Sequence, residues 1–213
     1  FLFSFGVCDD WSFEEDILTH KKMPIMAYDG TISLKTFFYN IFSSFLRLNN
    51  PKFLPYSIKK IITYIIFFRG AKKHIQKNVS NVVKNNSNFI SIKDIFNTTS
   101  SQNIFLKIDI EGYEYRILDE LLNNEDRING MVIEFHDCDL HLEKLRSFIQ
   151  KSKFNIVHIH ANNYGNIESS QEIPTVLEIT FSKNAHFKDK CFLPHDFDMP
   201  NNPSEEEIIL NFN

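Results

Sequence analysis

The chain has 213 residues, 43% hydrophobic and 23% charged, which is ordinary for a soluble globular protein and enough for one domain with a proper core. Its three cysteines, Cys8, Cys138 and Cys191, form neither a zinc pattern nor a disulfide framework, so a reducing compartment is expected. The net charge of −4 hides a segregation. Thr31 to Lys93 holds no acid and eleven basic residues, leaving the other twelve to face all 27 acids elsewhere. Such a segment either meets something anionic or is a solvated face balanced by an acidic body.

Phe1 to Val7 reads as a first strand. Because it starts at the first residue, residues upstream of Phe1 are expected, and the run into Asp9 and Asp10 is unlike a secretory signal. Ser12 is a plausible N-cap for a helix to about His20, and Pro24 to Tyr28 reads as a second strand ending at Asp29-Gly30. From Leu34 to Phe68 the rhythm breaks into two helical stretches, Leu34–Leu48 and Tyr56–Phe68, separated by Asn49-Asn50-Pro51 and Pro55. Lys72 to Val79 suggests a third strand, Asn85 to Asn88 a loop, and Ile92 to Phe96 a short helix or turn. Phe105 to Ile110 reads as a buried strand, followed after Gly112 by a helix over Tyr113–Leu122. Gly130–Phe135 is the next strand and Leu140–Ser152 the next helix, before a last pair of strands, Phe154–His160 and Thr175–Ser182. Alternating β and α units imply a mainly parallel, doubly wound α/β sheet, and no second domain is visible over residues 1–213.

Phe105-Leu-Lys-Ile-Asp-Ile-Glu-Gly-Tyr-Glu114 carries most of the functional signal. It delivers Asp109 and Glu111 to the carboxyl end of a strand, where ligands collect in open α/β sheets. Acids there also cap helices. Two of them at i and i+2 on a strand project the same way, however, and need a compensating partner.

Three further constellations stand out. The turn Phe5-Gly-Val-Cys-Asp-Asp10 is a degenerate glycine loop, with Gly6 free to approach a ligand and Cys8 in place of a second glycine. The helix after it opens with Asp9, Asp10, Glu14 and Glu15, which would repel a pyrophosphate. A sulfonium cofactor with an amino group tolerates those acids, which favours S-adenosylmethionine over NAD. Asp29, 23 residues past Gly6, suits the ribose hydroxyls or a plain Asp-Gly turn. An edge of Asp109, Glu111, Glu134, His136, Asp137, His158 and His160 is expected from three strands lying side by side. A neutral histidine near its ordinary pKa suits proton removal from a hydroxyl, with His136 first and His160 second, although either can be a satisfied core histidine. Asn162 and Asn163 suit sugar hydroxyls or an ordinary turn.

The same region resembles the FkbM-type S-adenosylmethionine-dependent methyltransferases. Leu106-Lys-Ile-Asp-Ile-Glu-Gly-Tyr-Glu114 is similar to that family's "lKiDiEGaE" signature, and Phe3-Ser-Phe-Gly-Val-Cys-Asp-Asp-Trp-Ser-Phe-Glu14 to the opening of a related branch. Met131–His136, His158–Asn163, Pro174–Phe181 and Leu193–Asn202 resemble later segments of the group. The likeness is good over 1–30 and 103–203 and poor between. It implies a Rossmann-like class I methyltransferase fold: a seven-stranded, mostly parallel sheet with a terminal antiparallel hairpin and, here, a helical insertion at about 34–70. It also implies methylation of an oxygen on a sugar or related group of a cell-surface polysaccharide or its precursor. Ser4, Phe5, Gly6 and Asp29 would place S-adenosylmethionine, with Asp109 and Glu111 orienting its amino group, the acceptor or a metal. Asp109, His136 and Asp137 occupy places comparable to Mg²⁺ ligands in some O-methyltransferases. Ser4 departs from the acid, and Cys8 from the glycine, found in many relatives.

In the insertion, Ile61–Phe68 is strongly apolar and flanked by Lys59, Lys60, Arg69, Lys72 and Lys73, and it is too short to span a bilayer. A buried helix on the sheet is the expectation. Peripheral contact with an anionic membrane, a lid or a homodimer contact are the alternatives, and the basic flanks fit a phosphorylated or lipid-linked glycan acceptor. No aromatic-basic motif points to nucleic acid. The expected location is cytoplasmic, with the inner membrane face as the place of any peripheral contact. The competing functional reading is a non-catalytic Rossmann-like binding module in a glycan assembly complex.

Overall fold

The computed structural model describes residues 1–46, 53–81, 88–168, 173–185 and 193–210. The Asn49-Asn50-Pro51 break, Asn85 to Ser87 and Cys191 lie outside the described residues. The chain divides into two compact units, Phe1–Ser91 and Ile92–Asn213.

The first unit holds β1 (Leu2–Phe5), α1 (Ser12–His20), β2 (Ile25–Tyr28), α2 (Leu34–Leu46), α3 (Phe53–Phe67), β3 (Lys72–Ile75), β4 (Asn78–Val79) and β5 (Phe89–Ile90). Its three longer strands run parallel in the order β3-β2-β1. Leu2, Phe3, Phe5, Ile25 and Ala27 are wholly buried, as strands covered on both faces require. Phe3 and Phe5 meet the Tyr28 ring edge to face, at centroid distances of 6.2 and 5.8 Å.

Sequence and structure differ in three places here. Ser12 is the first helical residue of α1, not its cap; Trp11 stands at the cap, and the Asp10 carboxylate accepts the Ser12 N–H at 3.0 Å. The strand expected over Lys72–Val79 is interrupted after Ile75, where the Lys77 N–H turns back to the Ile75 carbonyl at 2.8 Å. Its last two residues form β4, paired parallel with β5 in a separate ribbon. Finally, the insertion is not buried all round. Phe37, Ile61 and Phe67 face inward, while Phe38, Phe42, Ile62 and Ile66 are exposed.

The second unit holds α4 (Ile92–Phe96), β6 (Ile104–Ile108), a 3₁₀ turn (Glu114–Arg116), α5 (Leu118–Asn123), a second 3₁₀ turn (Glu125–Arg127), β7 (Ile128–Phe135), α6 (Cys138–Lys151), β8 (Asn155–Ala161), β9 (Ile167–Glu168), β10 (Ile173–Pro174) and β11 (Leu177–Ser182). Four strands are ordered β6-β7-β11-β8. β6 and β7 are parallel, and β11 runs antiparallel to both neighbours, giving the expected terminal hairpin with β8. With the three strands of the first unit this makes seven. The Arg127 guanidinium ties down the segment before β6, donating to the carbonyls of Phe96, Thr99 and Ser101.

The helix expected over Tyr113–Leu122 is broken. It starts as a 3₁₀ turn, with Arg116 and Ile117 N–H groups bonded to the Tyr113 and Glu114 carbonyls, and becomes α-helical only at Leu118. The side chain of Glu114 is drawn back into the loop before it, which holds the first turn in the tighter form.

Candidate active site

In the first unit β1 and β2 end in register, Phe5 beside Tyr28. The chain leaves β1 through Gly6 at φ 73° and Cys8 at φ 51°. Cys8 thus adopts the backbone that a glycine would take, at a cost of about 1–2 kcal/mol. A strong bond holds it there, because its N–H donates to Asp29 Oδ2 at 2.7 Å. The other Asp29 oxygen accepts the Thr31 N–H at 2.7 Å and the Thr31 hydroxyl. Burial alone would raise the pKa of Asp29. The Thr31 hydroxyl and the N–H groups of Cys8, Thr31 and Ile32 outweigh it, so the pKa is lowered and Asp29 is a fixed anion.

Ser4 and Phe5 have no exposed surface. The Ser4 hydroxyl donates to the buried Glu14 carboxylate, so an acid stands beside that position after all, supplied by α1. Both side chains are therefore enclosed within the unit, and their backbone lies in the β1–β2 ladder. Sequence reasoning missed three supporting groups. The Tyr56 hydroxyl donates to Asp9 Oδ2 at 3.2 Å and the Lys60 ammonium to the Asp9 carbonyl, so α3 grips the loop after β1. His74, whose pKa burial lowers, bridges the Tyr64 hydroxyl (2.7 Å) and the Asp29 carbonyl (3.1 Å). Periodicity marks α3 as a helix but cannot show what its side chains reach.

In the second unit β6 stops at Ile108, and Glu111 (φ 52°) and Gly112 (φ 89°) turn the chain sharply. Asp109 and Glu111 therefore do not project together from a strand. Asp109 pairs with Lys107 at 3.2 Å, while Glu111 carries an 86% exposed side chain whose Oε2 lies 3.5 Å from His136 Nε2. The organiser of this corner is Glu114, the last residue of the motif. Its buried Oε1 accepts the N–H groups of Ile110 and Gly112 at 3.0 and 3.2 Å and lies 3.3 Å from His136 Nδ1. Glu134 Oε1 is 3.9 Å from His136 Nε2 and accepts the Asn162 amide at 2.7 Å.

His136 is consequently not a histidine near its ordinary pKa. Burial opposes its charge, but the bond to Glu114 and the fields of Glu114, Glu134 and Glu111 overcome that and push the pKa up to about 9. Burial also raises the pKa of Glu134, helped by Asp109 and Glu178.

The three histidine- and acid-bearing strands do not lie side by side, because β11 separates β7 from β8. It contributes Glu178, paired in register with Glu134 on one side and His160 on the other. His160 is buried, 3.3 Å from both Glu178 and Glu207, and these two acids raise its pKa against the effect of burial. His158 sits 2.9 Å from Asp198. Asn163 accepts the Asn202 N–H at 2.7 Å and donates to the Asn202 carbonyl. His158, His160 and Asn163 therefore hold the segment 198–207 on this edge. The amides of Asn162 and Asn163 are engaged within the protein rather than turned out toward sugar hydroxyls. Cys138 is buried, with its thiol pushed up to about 11 mainly by burial, and is no nucleophile.

Asp109, Glu111 and His136 can bring one ligand atom each within 4.8 Å of the others; Asp137, the N-cap of α6 at φ 49°, is outside the group. Lys107 already compensates Asp109, and a protonated His136 faces Glu111 and Glu114. Lys107 holds Asp109, and His136 would have to release its proton before it could serve as a ligand, so these residues are poorly suited to a metal centre.

Strands divided three and four, an anchored acid closing β2, and an antiparallel last strand beside β7 define a Rossmann-like class I methyltransferase fold. Residues 71–181 match the methyltransferase FkbM domain, just over half of the sequence. The chain belongs to that family and is an S-adenosylmethionine-dependent methyltransferase. The matched span begins at β3, inside the stretch where the motif likeness is poor. No curated protein matches the chain. Similar solved structures include a precorrin-6y C5,15-methyltransferase from Geobacter metallireducens GS-15, 12% identical, covering 85% of this chain and 79% of that one at a TM-score of 0.40. An rRNA methylase from Streptococcus thermophilus is 8% identical, with 85% of each chain covered and a TM-score of 0.41.

The first-unit residues suit this cofactor. The N–H groups of Gly6, Cys8 and Asp10 are taken up by the Tyr28 carbonyl, Asp29 and the Val7 carbonyl, so this corner presents the carboxylates of Asp9, Asp10 and Asp29, acceptors for hydroxyl and amino groups rather than phosphate.

Proposed function

We propose that the protein transfers a methyl group to a hydroxyl oxygen of a sugar or related group, in a cell-surface polysaccharide or its precursor, on the cytoplasmic side of the membrane. When bound, S-adenosylmethionine supplies an electrophilic methyl group. Asp29 accepts the cofactor's ribose hydroxyls with the lone pairs that Cys8 and Thr31 leave, and Gly6 allows its close approach.

The observation that carries the reading is the pairing of Glu114 with His136. A buried carboxylate on Nδ1 holds that nitrogen as the donor and leaves Nε2 as the atom that takes up a proton, the same division of labour as in a histidine oriented by a buried acid in acyl transfer. In its neutral form His136 Nε2 removes the proton of the acceptor hydroxyl as the oxygen attacks. The raised pKa makes it a strong base, present in that form only as pH approaches about 9. Glu111 and Glu134 flank Nε2 and stabilise the imidazolium that forms. His160, locked between Glu178 and Glu207, positions the edge instead.

The test is calorimetry with S-adenosylhomocysteine and NAD, followed by transfer of labelled methyl to a panel of surface-glycan precursors. Micromolar binding of the former alone, with label recovered in an O-methyl sugar, is expected. Failure to bind either cofactor would favour a non-catalytic binding module. Label found on nitrogen or carbon would replace the acceptor class.

A further inference from the structure

α2 and α3 pack against each other, the Phe37 and Tyr64 rings 5.3 Å apart. Each helix nevertheless turns a second apolar row to solvent. On α2, Phe38 and Phe42 are one turn apart and 60% and 65% exposed. On α3, Ile58, Ile62 and Ile66 recur at every fourth residue, the last two 51% and 57% exposed. The inward row of α3, with Ser57, Ile61 and Phe67, is buried, so the helix is apolar on two faces, and packing within the unit accounts for one.

Basic groups accompany the outward rows. Lys35 stands one turn before Phe38 on the same side of α2, and Lys59 flanks the row on α3. Arg69, just past the end of α3, reaches back to the Ile65 carbonyl at 2.7 Å and so stays beside Ile66. All three are exposed. No helix among the described residues is long and apolar enough to cross a membrane.

We propose that the outward face of α2 and α3 is a peripheral docking surface for an anionic lipid bilayer. The apolar rows enter the boundary between headgroups and acyl chains, while Lys35, Lys59 and Arg69 extend their charges to lipid phosphates. Charge decides between this occupant and a second copy of the chain. An isologous contact would set the face against itself, and neither helix carries a carboxylate to meet those cations, the nearest being Asp10 and Glu15 beside Lys59 and Ile66. An anionic bilayer supplies both the apolar medium and the counter-charge. Tyr56 and Lys60 turn the other way and hold Asp9, so bilayer contact leaves the cofactor loop's own support in place.

Flotation of the full chain with vesicles tests this. Binding is expected to vesicles of phosphatidylcholine and phosphatidylglycerol in equal parts, weakly or not at all to phosphatidylcholine alone, and to fall as salt is raised. Ile62→Asp with Ile66→Asp should weaken it by about ten-fold or more. Lys59→Glu and Arg69→Glu should each weaken it by roughly five-fold or more. All these positions are exposed, and circular dichroism with S-adenosylhomocysteine binding reports that the variants are folded. Binding to neither vesicle, or equal binding to both, overturns the proposal. So does a dimer in sedimentation equilibrium that Ile62→Asp converts to monomer without any vesicle binding, which would assign the face to a second copy. None of these readouts depends on methyl transfer, so they stand or fall apart from the proposed reaction.

Discussion

Asp29 in the first unit and His136 in the second are both largely buried groups at the carboxyl end of a strand, held in opposite ways. Around Asp29 the partners are main-chain N–H groups and one hydroxyl, none of which changes charge. Its proton affinity is lowered and its position is set by the backbone of two turns. Around His136 the partners are Glu111, Glu114 and Glu134, themselves titratable, and its proton affinity is raised. Fixed dipoles make a binding site whose charge is constant across the neutral range. A histidine among carboxylates makes a site where a proton can be taken up and handed on. The first kind of wiring lies where we propose a cofactor is held and the second where we propose a proton is taken up.

The largest expected effect breaks that contrast on the catalytic side. His136→Ala should lower turnover by about 10²–10⁴-fold while leaving S-adenosylhomocysteine affinity unchanged in calorimetry. Unchanged turnover would remove His136 as the base. Asp29→Ala attacks the other side. It orphans the Cys8 and Thr31 N–H groups and should cost about 1–3 kcal/mol of stability in a thermal melt, together with a measurable loss of cofactor affinity. If only the melt moves, Asp29 serves the two turns and not the ribose.

Glu114→Gln sharpens the comparison, because it keeps the shape of the corner and deletes one charge. The sign follows from the raised pKa. The wild-type rate should climb as pH rises through about 9, where the imidazolium of His136 loses its proton. In the variant the climb should begin at a lower pH, nearer the ordinary histidine value, and a pH–rate profile of each protein checks this. A rising limb that stays in place would mean another group carries it. The smallest expected effect is that of a chelator, which should leave turnover unchanged because Lys107 already holds Asp109 and His136 keeps its proton beside Glu111 and Glu114. Loss of activity restored by one divalent ion would overturn that account of the acid cluster.

Element types were largely legible in the sequence, because buried parallel strands are runs of apolar residues that periodicity finds. Phe105–Ile110 and Gly130–Phe135 were placed to within two residues of β6 and β7. The errors fell where a side chain reaches across the chain. Glu114 closes the family motif, but nothing in its spacing shows that its carboxylate takes the loop amides, where the helix that Tyr113–Leu122 suggested starts as a 3₁₀ turn. Nor does spacing reveal that Trp11, not Ser12, stands at the cap of α1.

The sequence by itself determined the α/β class, the family motif, the acid at the end of β2 and the unbroken basic run, since each depends on residue type and order along the chain. Tertiary structure alone decided that β11 comes between β7 and β8 and carries Glu178 to His160, and that Glu114 stands behind His136 and lifts its pKa. It also decided that the outer rows of α2 and α3 remain uncovered. Those are properties of residues far apart in sequence, and pairing energies, burial and fields depend on distance in space.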